Sequence, residues 1–98
     1  MKKKRKDKIV QADTPDGQRA GEALIEAIEN QIRDNEPPET REALERLMAI
    51  GESRENAMRY IASAMTIEIF EIVKNGTRYD EQRYINNLKN LPELPDDY

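Results

Sequence analysis

The chain has no cysteine, no histidine and no tryptophan, and a single phenylalanine. Without cysteine there is no disulfide, no thiolate metal site, no iron–sulfur cluster and no thiol nucleophile. Without histidine the usual general base, the usual transition-metal ligand and the side chain that titrates near neutral pH are all missing. A Ser–His–Asp triad is excluded. A bound metal would need a shell of carboxylate oxygens, which favours Mg, Mn or Ca. Long apolar runs are missing as well. The most apolar stretch, Ile61 to Val73, is broken by Ser63, Thr66, Glu68 and Glu71, so it does not read as a membrane span. Only Ile9 and Val10 stand between the basic N-terminal residues and Gln11 and Asp13, too short a run for a secretion signal, and the expected location is the cytoplasm.

Bulky aliphatic residues are scarce. Leu, Ile, Val and Phe make up about one in five of the 98 residues, a composition at the edge of what folds. They are concentrated, however: between Gln18 and Leu91 there are 16, and outside that span only Ile9, Val10 and Leu94. Charge is equally uneven. The formal net charge is −4, but Lys2, Lys3, Lys4, Arg5, Lys6 and Lys8 against Asp7 give residues 1–8 a net of +5 and leave −9 for the rest. An acidic body repels nucleic acid and anionic lipid. The expected organisation is a disordered basic tail over 1–16, a helical domain over 17–92 and an acidic C-terminal tail over 93–98.

Within the domain the apolar residues recur at helical spacing. A first helix is expected from about Gly17 to Asp34, capped by Asp16 or by Thr14 before Pro15. Ala20, Leu24, Ala27, Ile28 and Ile32 form its stripe, with Gln31 anomalously inside it. Glu22, Glu26, Glu29 and Arg33 fall opposite, Glu29 and Arg33 as an i,i+4 pair. Pro37-Pro38 opens a second helix to about Ile50, with Ala43, Leu44, Leu47 and Met48 inward and Gly51 as its stop. Ser53 caps a third, from Arg54 to Asn75, ended by Gly76. Asp80 caps a fourth, to about Asn90, whose apolar set is Tyr84, Ile85, Leu88 and Leu91. No strand-like alternation occurs. The expected fold is all-α, a four-helix bundle with a long central third helix.

That third helix is apolar on two sides. Met58, Ile61, Ala62, Met65, Ile69, Ile72 and Val73 form one broad stripe; Ala57, Tyr60, Ala64 and Ile67 lie opposite. A core this small supplies only ~3–5 kcal/mol of net stability, and association is a common remedy. Tyr60, Ala64 and Ile67 are therefore the expected interface of a homodimer, and the leading functional expectation is a non-catalytic protein-interaction module with no cofactor.

Two other readings come from different chemistry. Carboxylates are the plentiful catalytic group, and i,i+3 pairs at Glu42/Glu45 and Glu68/Glu71 on facing helices have the look of a Mg site acting on a phosphorylated small molecule. No basic cluster for phosphate accompanies them, and acidic helices produce such pairs on solvated faces. Glu68 and Gln31 are the polar groups nearest the expected core. They either share a site or each satisfy a buried backbone group or helix end. The run Lys2, Lys3, Lys4, Arg5 and Lys6 would give salt-sensitive binding to nucleic acid or an acidic partner, against the plainer reading of a solubilising tail. In the loop Asn75-Gly76-Thr77-Arg78-Tyr79-Asp80, helix capping accounts for Gly76 and Asp80 but not for Arg78 and Tyr79.

The punctuation carries a resemblance. Ala27-Ile28, Gln31, Pro37-Pro38, Leu44, Leu47, Gly51, Ile61-Ala62-Ser63, Glu68, Gly76, Asp80, Tyr84, Leu88, Leu91 and Pro92 together resemble a bacterial and archaeal family of small all-α proteins known as a domain of unknown function. The resemblance spans residues 20–92 and implies the helical fold. Members of that family often carry histidines where this chain has Gly21, Ile25 and Arg59. If those histidines bind metal, the ligands are missing here, so the resemblance implies no activity.

Overall fold

The computed structural model describes residues 15–95, and side chains from residue 21 onward. Four helices follow one another: α1 (Pro15–Asp34), α2 (Pro38–Ala49), α3 (Arg54–Asn75) and α4 (Glu81–Asn90). The described residues contain no strand. The expected basic tail, with Lys2 to Lys6, lies outside the described residues except for its last two positions.

Local chemistry sets the boundaries. α1 begins with Pro15, where a missing backbone N–H costs nothing, so Asp16 falls inside the helix. At its other end Asn35 takes the left-handed conformation (φ 54°), and the Glu36 N–H returns 3.0 Å to the Gln31 carbonyl. Pro37 and Pro38 then open α2. α2 stops at Ala49. Gly51, at φ 108°, lets its own N–H reach the Met48 carbonyl and the Glu52 N–H reach that of Leu47, both at 3.1 Å. Ser53 accepts from the Asn56 N–H at 3.0 Å to start α3, and Gly76 at φ 66° ends it. Asp80 accepts from the Arg83 N–H at 3.0 Å to start α4.

α2 and α3 make the most extensive contact and form the middle of the bundle, each touching both outer helices. α1 and α4 flank them, with no Cα of one within 8 Å of the other among the described residues. The core between them holds Ile28, Ala43, Leu44, Leu47, Ala57, Met58, Ile61, Ala64, Tyr84, Leu88 and Leu91. Met48, expected inward, is 44% exposed; the position facing the core in its place is Thr40, fully buried.

Arginines of α2 hold both flanks. The Arg41 guanidinium donates to the Ile32 carbonyl at 2.6 Å, at the end of α1. That of Arg46 donates to the carbonyls of Leu88 and Leu91 at 2.8 and 3.0 Å, at the end of α4. Carbonyls in a last helical turn carry the negative end of the dipole, and those of Ile32 and Leu88 otherwise accept only long 3.3 Å bonds from the Asn35 and Leu91 N–H groups, so a cation there is favourable. α1 is tied to α3 by a bidentate pair, Arg54 to Glu29 at 2.7 and 2.8 Å. This replaces the expected Glu29–Arg33 pair; Arg33 instead bonds Asp34 and Asn30. The Arg54 hydrogen bonds hold the Glu29 carboxyl below its ordinary range. Any stability it adds is present at neutral pH and lost as pH falls through that lowered value.

Candidate functional site

The face of α3 that remains uncovered is not the expected one. Ala64 is fully buried and Ile67 is 3% exposed, both inside the monomer's own packing. Tyr60 is half-buried against the core and beside a shallow groove with Glu52, Asn56, Arg59, Ser63 and Leu94. The homodimer surface expected at Tyr60, Ala64 and Ile67 is therefore corrected: Ala64 and Ile67 are buried within the monomer and Tyr60 is half-buried. The uncovered surface belongs to the C-terminal half of the other stripe. Ile69 is 45% exposed, Phe70 53%, Ile72 41% and Val73 78%.

The helix repeat accounts for this division. Met58, Ala62 and Met65 are at the start of the stripe, where α1 lies against α3; all three are wholly or partly buried in the core. Ile69, Ile72 and Val73 continue the stripe one to two turns further. The face from Ala62 to Val73 consists of Ala62, Met65, Thr66, Ile69, Phe70, Ile72 and Val73, and carries no charge. Its one hydroxyl, Thr66, donates to the Ala62 carbonyl at 2.8 Å, which leaves no donor turned outward. Positions Ala62, Met65, Ile69 and Ile72 step by three and four residues, the spacing of a coiled-coil seam.

The polar candidates do not share a site. Glu68 is 2% exposed and closed by partners. Its Oε1 accepts from the Asp80 N–H at 2.9 Å and from the Arg83 guanidinium at 3.0 Å, and its Oε2 accepts from Arg83 at 2.6 Å. It joins α3 to the start of α4. Gln31 is elsewhere, where its Oε1 accepts from the Thr40 hydroxyl at 2.8 Å and the Tyr84 hydroxyl at 2.7 Å. Glu68 follows the plainer reading, meeting a backbone N–H at a helix start, whereas Gln31 is half-buried and binds two side-chain hydroxyls instead of a backbone group.

The carboxylate constellation is likewise not assembled. Glu42 and Glu45 are exposed, Glu71 bonds Asn75 at 2.8 Å, and Glu68 is taken up by Arg83. Among the described residues no three acidic side chains converge to hold a metal. In the loop after α3, Tyr79 is 47% exposed and tilts against Tyr84 with ring centroids 6.2 Å apart, so part of it serves packing. No family model, curated protein or solved structure matches the chain, and the family resemblance rests on the residues quoted for it.

Tyr84 offers a test of this interior. Burial pushes its phenol up to about 12 from an ordinary 10.0, against the opposing pull of Thr40 and Gln31. Below pH 10 the phenol is neutral in both folded and unfolded chains. Above it the unfolded chain ionises first, so stability falls as pH rises, by about 1.4 kcal/mol at pH 11. Tyr84→Phe costs about 1 kcal/mol at pH 7 through the lost hydrogen bonds and removes most of the alkaline decline. Urea titrations of both proteins at pH 7 and pH 11 measure the two effects. Equal alkaline slopes in the two proteins contradict the assignment to Tyr84.

Proposed function

We propose that the protein is a non-catalytic helical interaction module whose docking surface is the uncovered C-terminal half of α3, and that its ligand is an amphipathic helix. The observation that carries this reading is the run of four adjacent apolar side chains, 41–78% exposed, on an uncharged face of a chain in which 37% of residues are charged. Contiguous exposed apolar surface on a small soluble domain marks a binding face. The three–four spacing from Ala62 to Ile72 selects a helix as its complement, since knobs at that spacing fit the holes of a facing helix. The absence of histidine and cysteine, and the engagement of Glu68 by Arg83, support a binding role over a catalytic one.

The test uses a labelled synthetic helix with Leu and Ile at its seam positions and mixed charges elsewhere, followed by fluorescence anisotropy. The wild-type chain binds it saturably. Ile69→Glu/Val73→Glu, at positions already open to water, changes stability by only about 0.5 kcal/mol per site and weakens binding at least about tenfold. Equal binding by both proteins, or none by either, removes the reading.

A further inference from the structure

We infer that the helix received by this face is α3 of a second copy of the chain, laid antiparallel about a twofold axis near Ile69. The inference rests on reading the face as a helix-docking surface and goes on to name its occupant. A twofold places the same strip on both sides, so each copy must supply a seam complementary to itself. Met65, Ile69 and Ile72 meet that condition: with Ile69 on the axis, Met65 of one copy lies opposite Ile72 and Val73 of the other. No charged residue interrupts the strip to disfavour the pairing.

The charges around the strip select the orientation. Beyond its C-terminal end are Lys74 and Arg78, both exposed and neither in an ion pair among the described residues. Toward its N-terminal end, α1 runs beside α3, and Glu22 and Glu26 line a groove with Met58 and Arg59; both glutamates are exposed. At 1.5 Å per residue, Lys74 is about 8 Å from Ile69 along α3 and Met58 about 16 Å in the other direction, a difference the long lysine and arginine side chains span. An antiparallel pair therefore sets Lys74 and Arg78 toward Glu22 and Glu26 of the partner subunit, twice. A parallel pair sets Lys74 against Lys74. The exposed strip is on the order of 400 Å², about half of what each partner gives a standard interface. The dimer is accordingly weak, with a dissociation constant on the order of 10–100 µM at low salt.

Analytical ultracentrifugation of the full chain from low to high micromolar concentration tests this. The wild type passes from monomer to dimer and dissociates as salt is raised. Ile69→Glu/Val73→Glu is monomeric throughout. Lys74→Glu/Arg78→Glu weakens the dimer about tenfold, and adding Glu22→Lys/Glu26→Lys restores it. A wild type that is monomeric at every concentration overturns the inference. If that monomer still binds the synthetic helix, the docking face stands and only its occupant is wrong. A charge reversal that leaves the dimer unchanged, or that the reciprocal change fails to rescue, overturns the antiparallel pairing.

Discussion

Leu47→Ala leaves the protein close to its unfolding midpoint at 25 °C. Leu47 is fully buried in α2, one of the two middle helices that touch all the others. Truncating a buried leucine removes its transfer free energy and leaves a cavity that packed helices close only in part, a cost of about 3–4 kcal/mol. A core of this size supplies only ~3–5 kcal/mol in total, so one substitution consumes most of it. The melting temperature falls by roughly 15 °C or more, at about 4–8 °C per kcal/mol for a domain this small. Met48→Ala, one residue on and 44% exposed, is the control and changes stability by no more than about 0.5 kcal/mol. Circular dichroism melts of the two variants decide the matter, and equal losses would contradict the assignment of Leu47 inward and Met48 outward.

The Glu68–Arg83 pair gives the second large effect, and its asymmetry is the informative part. Glu68→Leu removes the acceptor of the Asp80 N–H and of the Arg83 guanidinium. The Arg83 side chain is 33% exposed and can turn to water, while Glu68 at 2% cannot. The loss for Glu68→Leu is therefore about 2 kcal/mol, that of charge-assisted hydrogen bonds. Arg83→Met is worse, because it strands a carboxylate that burial keeps from water. The double variant Glu68→Leu/Arg83→Met is more stable than Arg83→Met alone, since no buried charge is left without a partner. Urea denaturation of the three proteins ranks them. If Arg83→Met proves the milder single change, the Asp80 N–H alone compensates the buried carboxylate.

What the sequence discloses and what it hides divide along the range of the interactions. Helix ends were legible because their causes are local: Ser53, Asp80, Gly51, Gly76 and the prolines act on neighbours within a few residues. Gln31 and Glu68 stood out because each placed a polar group on an apolar face. The covered side of α3 was not legible. Its periodicity reports two apolar sides without saying which one the other helices occupy, and α1 reaches only as far as the first half of the stripe, so Ala64 and Ile67 went inside while Ile69 and Val73 stayed out. Thr40, Arg41 and Arg46 left no signal of their own, since their partners are 9, 9 and 42–45 residues away.

One amide oxygen has a reach beyond its own hydrogen bonds. Among the described residues no Cα of α1 is within 8 Å of one of α4, so backbone contact between the two flanks does not oblige them to open together. Gln31 on α1 accepts from Tyr84 on α4 as well as from Thr40 between them. Release of either flank breaks a bond of the other, so the shared acceptor couples the two fraying events by about 1 kcal/mol.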